Sequence, residues 1–66
     1  MEAYKREQGL VGETMIRYGG SFVKSLGGAL LCADAYNAKR IYEAFPEYWD
    51  EYRIIGTLAS AQATGR

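Results

Sequence analysis

The sequence predicts a compact all-α protein of three helices, a long first helix over about residues 12–33 and two short ones over about 35–44 and 46–55. Two observations predict this class. Larger apolar residues recur every three or four positions, as on one face of a helix, and Asp34 and Pro46 are residue types that start helices. With only 66 residues, the chain forms a single small helical domain.

The first predicted helix carries an apolar stripe with helical spacing. Steps of three and four residues place the larger apolar side chains of this segment on one face. The members of the stripe are Met15, Tyr18, Phe22, Leu26 and Leu30.

Two glycine pairs, Gly19-Gly20 and Gly27-Gly28, interrupt this helix, and each glycine costs about 1 kcal/mol relative to alanine. Two interpretations are open: the pairs are hinges that split the segment, or their missing side chains let another backbone approach closely. A row of small residues at four-residue spacing favours the second and forms a ridge suited to close packing. The ridge consists of Ser21, Ser25, Ala29 and Ala33. We therefore predict a continuous but locally bent first helix.

The second and third helices are predicted from their end signals. Asp34 is placed to act as an N-cap. Pro46 disfavours helical geometry at Phe45 but fits the first position of a new helix, where the acid Glu47 is favoured by the helix dipole. Gly56 is the expected left-handed C-cap of the third helix.

The segment AFPEYWDEY, residues 44–52, concentrates four aromatic rings. Large rings on short helices either complete the core of a small protein or anchor an interface with a partner, and the sequence leaves both readings open. Together with the small-residue ridge, this segment supplies the candidate interface residues. They are Tyr48, Trp49, Tyr52, Ser21, Ser25 and Ala29.

The size of the chain limits its core. A domain of this length hides about 60% of the surface that its unfolded chain exposes. Such a core rarely supplies more than about 3 to 5 kcal/mol of folding free energy unless disulfides, a metal or oligomerisation add to it. We therefore expect a homo-oligomer. Within the single domain of residues 1–66, residues 1–9 and 57–66 are expected to be frayed or disordered.

The composition disfavours catalysis. The chain has no histidine and one cysteine, Cys32, so common zinc sites, an intramolecular disulfide and the usual catalytic triads cannot be assembled. The acidic residues around Pro46 are interpreted as a solvated face, and Cys32 as a small buried hydrophobe. We predict a protein that is not an enzyme, with no cofactor and no metal site.

Charge and hydropathy constrain the partners. Eight Lys and Arg residues balance eight Asp and Glu residues, so no net field attracts nucleic acid or an anionic membrane. The most apolar stretch, GGALLCA, is far shorter than the ~20 residues that span a bilayer, and the amino terminus lacks the apolar core of a secretory signal. We expect a cytoplasmic protein with no membrane partner.

Two ligand-binding alternatives are kept. In the first, a homo-oligomeric sponge encloses a nucleotide-like small molecule between subunits, with Arg17, Lys24 and Arg40 as candidate ligand-binding residues and tyrosines as stacking surfaces. In the second, which the zero net charge disfavours, tyrosines near Lys39, Arg40 and Arg53 bind single-stranded nucleic acid weakly.

Two segments carry a family resemblance, YGGSFVKSLGGALLCAD at residues 18–34 and AFPEYWDEY at residues 44–52. The chain resembles small uncharacterised proteins encoded by bacteriophages and prophages, in which an aromatic-Gly-Gly-Ser-Phe-Val pattern opens a helix and a Phe-Pro-Glu-Tyr-Trp element follows. The resemblance implies a phage or mobile element inside a bacterial host cell, and it implies no activity, cofactor or site.

From these features we hypothesise a non-enzymatic helical module that occupies a host or self protein surface. In one form of this hypothesis, the protein inhibits a host antiviral defence protein. The hypothesis is based on the excess of aromatic and small residues in the chain.

Overall fold

The computed structural model describes the backbone of residues 3–64 and the side chains of residues 6–61, and its regular elements are all helical. The helices are α1 (Ala3–Tyr18), α2 (Ser21–Cys32), α3 (Ala35–Ala44) and α4 (Pro46–Thr64). The all-α prediction is confirmed, and the described residues contain no strand. The three-helix prediction is wrong because the segment predicted as one long helix is two.

The chain breaks at Gly19-Gly20, so the hinge interpretation holds for this pair. Gly20 is the N-cap of α2 with extended backbone angles, φ −77° and ψ −170°. The side chain of Lys24 reaches back from α2, and its Nζ donates to the carbonyl of Ile16 at 2.7 Å. This bond satisfies one of the carbonyls that the end of α1 leaves without an intrahelical partner.

The second pair, Gly27-Gly28, lies inside α2 and does not interrupt it. Gly27 is buried where α2 crosses α1 at Gly12. A Cβ added at Gly27 would lie 2.7 Å from the carbonyl oxygen of Gly12 and 2.8 Å from the Cβ of Met15. At Gly27 the close-approach interpretation is therefore correct, because two backbones meet there with no room for a side chain.

Helix α3 begins and ends where the sequence predicted. Asp34 is its N-cap, and its Oδ1 accepts a hydrogen bond from the backbone N–H of Asn37 at 2.8 Å. Phe45 separates α3 from α4, which begins at Pro46 as predicted.

Helix α4 does not end at Gly56, so the predicted C-cap is wrong. Gly56 is buried within the helix, and a Cβ there would meet the hydroxyl of Thr14 and lie 2.8 Å from the Cδ1 of Leu10. The glycine thus lets α4 pack closely on α1. Gly56 therefore serves the packing of two helices, and a helix-end pattern in the local sequence does not indicate such a contact.

The segments expected to fray are helical over residues 3–9 and 57–64, while residues 1–2 and 65–66 lie outside the described part of the chain. The amino-terminal segment also makes tertiary contacts. Gln8 donates from Nε2 to the carbonyls of Leu30 (2.8 Å) and Ala33 (2.7 Å) at the end of α2. These contacts fix the first turns of α1 against α2.

Helix α1 packs against each of the other three helices. The core therefore forms around it, with contributions from all four helices. The buried apolar side chains are Val11, Met15, Val23, Leu30, Ala38, Trp49 and Tyr52. A search of the described residues finds no helix with the length and apolarity needed to span a bilayer.

Candidate protein-interaction surface

Three aromatic rings meet at the surface where the start of α2 faces the junction of α3 and α4. The ring of Phe22 packs edge-on against Phe45, with centroids 5.8 Å apart, and lies 6.0 Å from Tyr48. Phe45 and Tyr48 are also 6.0 Å apart. We call Phe22, Phe45 and Tyr48 the aromatic patch. Phe22 is 57% exposed, so the patch offers a large apolar ring to solvent in a fixed orientation.

An open groove of about 610 Å³ adjoins this patch and shares Phe45 with it. Helix α2 and helix α3 with Phe45 form its two walls, so we call it the α2–α3 groove. The lining residues are Ala29, Cys32, Ala33, Asn37, Arg40, Ile41, Ala44 and Phe45. Since most of these side chains are apolar, the groove extends the aromatic patch along the protein.

A charged side chain lines the groove. Arg40 lines it and places its guanidinium 5.5 Å from the ring centroid of Tyr36, within the range of a cation–π contact. Lys39 and Glu43 form an exposed ion pair of 3.6 Å on α3, and such pairs contribute little to stability. The surface therefore combines apolar area with the positive charge of Arg40, as interfaces combine apolar area with polar groups.

Two of the predicted interface aromatics belong to the core. Trp49 is 1% exposed and Tyr52 is 9% exposed. The indole Nε1 of Trp49 donates to Oε1 of Glu7 at 3.0 Å, and its ring packs edge-on against Tyr42 at 5.3 Å. These two rings are unavailable to a partner in this fold. Only Tyr48, which is half-buried, contributes to the exposed aromatic patch.

The small residues predicted as an interface lie on the exposed side of α2. Ser21, Ser25 and Ala29 are all solvent-exposed, and Ala29 lines the α2–α3 groove. The close helix crossing uses Gly12 and Gly27 instead. Ser21, Ser25 and Ala29 thus remain available to a partner, whereas Ala33, the fourth residue of the ridge, is partly buried against the core.

The three candidate ligand-binding cations lie apart within one chain. Arg17 lines a separate groove of about 480 Å³ between α1 and α4, whereas Arg40 lines the α2–α3 groove. Lys24 is hydrogen-bonded to the end of α1. One copy therefore does not bring them together.

Cys32 is exposed, contrary to the buried position that its residue type suggested. It is the last residue of α2 and lines the α2–α3 groove. Leu30, two residues earlier, is fully buried, so Cys32 lies on the side of α2 that faces away from the core.

Sequence reasoning missed Phe22 and Glu7. Phe22 was placed in the inward stripe of one continuous helix, yet it faces outward because α2 starts a new helix at Ser21. Glu7 fell in the segment expected to fray, yet its Oε1 contacts Trp49 and lies 3.9 Å from Nε of Arg53. In the sequence, the Gly19-Gly20 pair was the signal that could have indicated the outward position of Phe22. No local pattern indicated the contacts of Glu7.

The described residues contain no group of three or more His, Cys, Asp or Glu side chains placed to hold a metal ion. The chemistry that the surface does offer is burial of apolar area beside the positive charge of Arg40. No protein-family model, curated protein or solved structure matches this chain.

Proposed function

We propose that this protein is a non-enzymatic protein-interaction module whose binding surface is the aromatic patch together with the α2–α3 groove. The observation that carries the proposal is Phe22. Its ring is 57% exposed although two neighbouring rings hold it in place. An exposed ring that is already oriented loses little conformational freedom on binding, and aromatic anchors supply much of the energy of protein interfaces.

The partner in this proposal is a protein surface with an apolar recess that accepts Phe22. In the phage or mobile-element setting that the family resemblance implies, a host protein of the bacterial cytoplasm fits this description. In one form of the proposal, this binding inhibits an antiviral defence protein of the host.

The two ligand-binding alternatives receive less support. The sponge needs Arg17 and Arg40 to meet across subunits, because they line different grooves of one chain. For nucleic acid, Arg53 lies 3.9 Å from Glu7 and 3.7 Å from Asp50, and Lys39 is paired with Glu43. Cations engaged with carboxylates are less free to contact phosphates.

Site-specific photo-crosslinking in bacterial cells tests the proposal. A photoreactive phenylalanine analogue is placed at position 22 or, as a matched control, at position 58. Leu58 lies on α4 outside the patch and is 58% exposed, almost the same as Phe22. We expect one discrete protein adduct from position 22 and none from position 58.

The replacement Phe22→Ser, compared with Leu58→Ser, supplies the second arm. Both side chains are exposed, so both variants should fold, and only Phe22→Ser should lose the partner that was crosslinked. Equal adducts from the two positions, or no adduct from position 22, would contradict the proposal.

A further inference from the structure

Among the residues that the structure describes, the lining of the α2–α3 groove carries a single charge. The guanidinium of Arg40 lies on the α3 wall, and no acidic side chain of the described residues lines the groove with it. Alanines, Ile41 and Phe45 supply most of the remaining lining. The groove is therefore an apolar surface with one positive charge inside its footprint.

Arg40 has no carboxylate partner among the described residues. Their ion pairs use the cations of Lys39 and Arg53. Glu43, one turn along α3 from Lys39, is held by that lysine at 3.6 Å. The contact of Arg40 is with the ring of Tyr36, 5.5 Å from its centroid. This contact restrains the guanidinium, but it supplies no oxygen acceptor for the N–H donors.

The place of Arg40 in the groove decides what an occupant must bring. Arg40 lies between Asn37 and Ala44 along the α3 wall, and all three line the groove. A partner that covers this wall therefore also removes water from the guanidinium. Removing water from a charge costs free energy unless an opposite charge replaces the water. A carboxylate does so well, because it accepts two parallel hydrogen bonds from a guanidinium.

A protein segment fits this surface better than a small molecule or a phosphate does. Small-molecule sites enclose most of their ligand, whereas this groove is open and continues through Phe45 into the aromatic patch. Phosphate groups on proteins are bound by clusters of arginines. Arg40 has no free cationic neighbour on α3, because Lys39 is paired with Glu43.

We infer that the partner places in the α2–α3 groove a segment that carries one carboxylate side chain among apolar residues, and that this carboxylate pairs with Arg40. The inference rests on the proposed function, because it names the chemistry of the partner at the same surface. Phe22 supplies an apolar anchor, and Arg40 supplies selectivity. A neutral or basic segment of the same shape leaves the guanidinium covered and unpaired.

Selection from a displayed library of random peptides tests this inference. The library is selected in parallel against the unmodified chain and against Arg40→Glu. We expect the unmodified chain to enrich peptides that carry Asp or Glu beside apolar residues. Arg40→Glu should enrich peptides with Lys or Arg in that place, because the charge that the groove must neutralise is then reversed.

Arg17→Glu is the matched control, since it makes the same charge change at an exposed position in the groove between α1 and α4. It should enrich the same acidic peptides as the unmodified chain. Enriched peptides without an acidic residue, an unchanged preference in Arg40→Glu, or an equal change in Arg17→Glu would each overturn the inference.

A titration of one selected acidic peptide, followed by fluorescence anisotropy, measures the pairing directly. Replacing its acidic residue by the corresponding amide should weaken binding to the unmodified chain by about tenfold, as the loss of a charged hydrogen-bonded pair does. Replacing it by lysine should restore binding to Arg40→Glu. Equal affinities of the acidic and amide peptides would contradict the pairing.

Cys32 reports where the peptide binds, because its exposed thiol lines the same groove. It is the only cysteine of the chain, so a maleimide reacts at one known place. A saturating concentration of the acidic peptide should slow this reaction severalfold. A peptide that binds and leaves the rate unchanged occupies another surface, which would contradict the inference.

The outcomes also separate this inference from the proposed function. If position 22 crosslinks to one protein in cells and the selected peptides show no acidic preference, the pairing with Arg40 fails and the interaction module stands. If acidic peptides bind and protect Cys32 while position 22 gives no adduct, the interaction module fails in cells and the charge preference of the groove stands.

Discussion

Glu7 joins the first helix to the fourth through one carboxylate oxygen. Its Oε1 accepts the hydrogen bond from the buried indole of Trp49 at 3.0 Å and lies 3.9 Å from Nε of Arg53, which also approaches Asp50 at 3.7 Å. The indole needs this acceptor, because a buried N–H without a partner costs free energy. A residue near the start of α1 therefore helps to fix the largest side chain of the core.

The replacement Glu7→Ala should lower the free energy of unfolding by about 1 to 3 kcal/mol, because it leaves the Trp49 N–H unsatisfied in the interior. Glu7→Gln should lose less, since its amide oxygen can still accept the bond. Urea denaturation followed by circular dichroism measures both.

Glu13→Ala is the control for this prediction, because Glu13 is an exposed carboxylate on the same helix. It should change stability by less than about 0.5 kcal/mol. Equal effects of Glu7→Ala and Glu13→Ala would show that the carboxylate of Glu7 is unimportant to the core.

At the scale of elements, the connection between α1 and α2 decides the fold. The two glycines there differ in their surroundings. A Cβ at Gly19 would lie 2.5 Å from Cγ1 of Val23 and 2.6 Å from the carbonyl oxygen of Met15, whereas a Cβ at Gly20 would have no atom within 4 Å. The tight turn therefore needs glycine at the first position only.

Gly19→Ala should destabilise the protein by about 1 to 3 kcal/mol, as overpacking in a well-packed region does. Gly20→Ala, the matched control, should cost less, because the loss of a good N-cap is offset by the lower entropy of the unfolded chain at backbone angles that alanine can adopt. Thermal unfolding of the two variants measures the difference, and similar melting temperatures would refute the steric account of Gly19.

Local signals in the sequence were sufficient for some elements and insufficient for others. Asp34 and Pro46 each favour the start of a helix in the turn that directly follows them. The bounds of α3 and the start of α4 could therefore be predicted. The Gly19-Gly20 pair did signal a possible break, but the apolar spacing is the same in one long helix and in two packed ones and so did not decide between them. The choice depends on the crossing of Gly12 and Gly27, a contact between residues far apart in the chain.

The candidate surface was predictable in part for the same reason. The aromatic segment after Pro46 was identified, but its rings divide between core and surface according to which side of α4 meets α1. Tyr48 is partly exposed while the adjacent Trp49 is buried. Phe22 could be assigned to the surface only after the orientation of α2 was known.

For the molecule as a whole, small size links stability to association. A core of this size is marginal, and any partner that binds only the folded state stabilises it by mass action. The melting temperature should therefore rise with protein concentration if the expected homo-oligomer forms.

For two identical chains, a hundredfold increase in total concentration above the dissociation constant is worth about 1.4 kcal/mol per chain, half of what a separate ligand in excess supplies. This gain should raise the melting temperature by several degrees in a domain of this length. Differential scanning calorimetry at low and high concentration measures the shift. A melting temperature that is constant for the unmodified chain would contradict the link between association and stability.

The burial of Trp49 has a practical consequence. It is the only tryptophan of the chain, it is almost fully enclosed, and its ring contacts Tyr42. Intrinsic fluorescence excited at the red edge of the absorption band consequently comes from a single place, where α1 meets α4. The aromatic patch and the α2–α3 groove lie elsewhere on the surface, so the emission of Trp49 reports whether the helices remain assembled. In a binding experiment at the groove, this emission therefore shows whether the protein is still folded, and no added dye is needed.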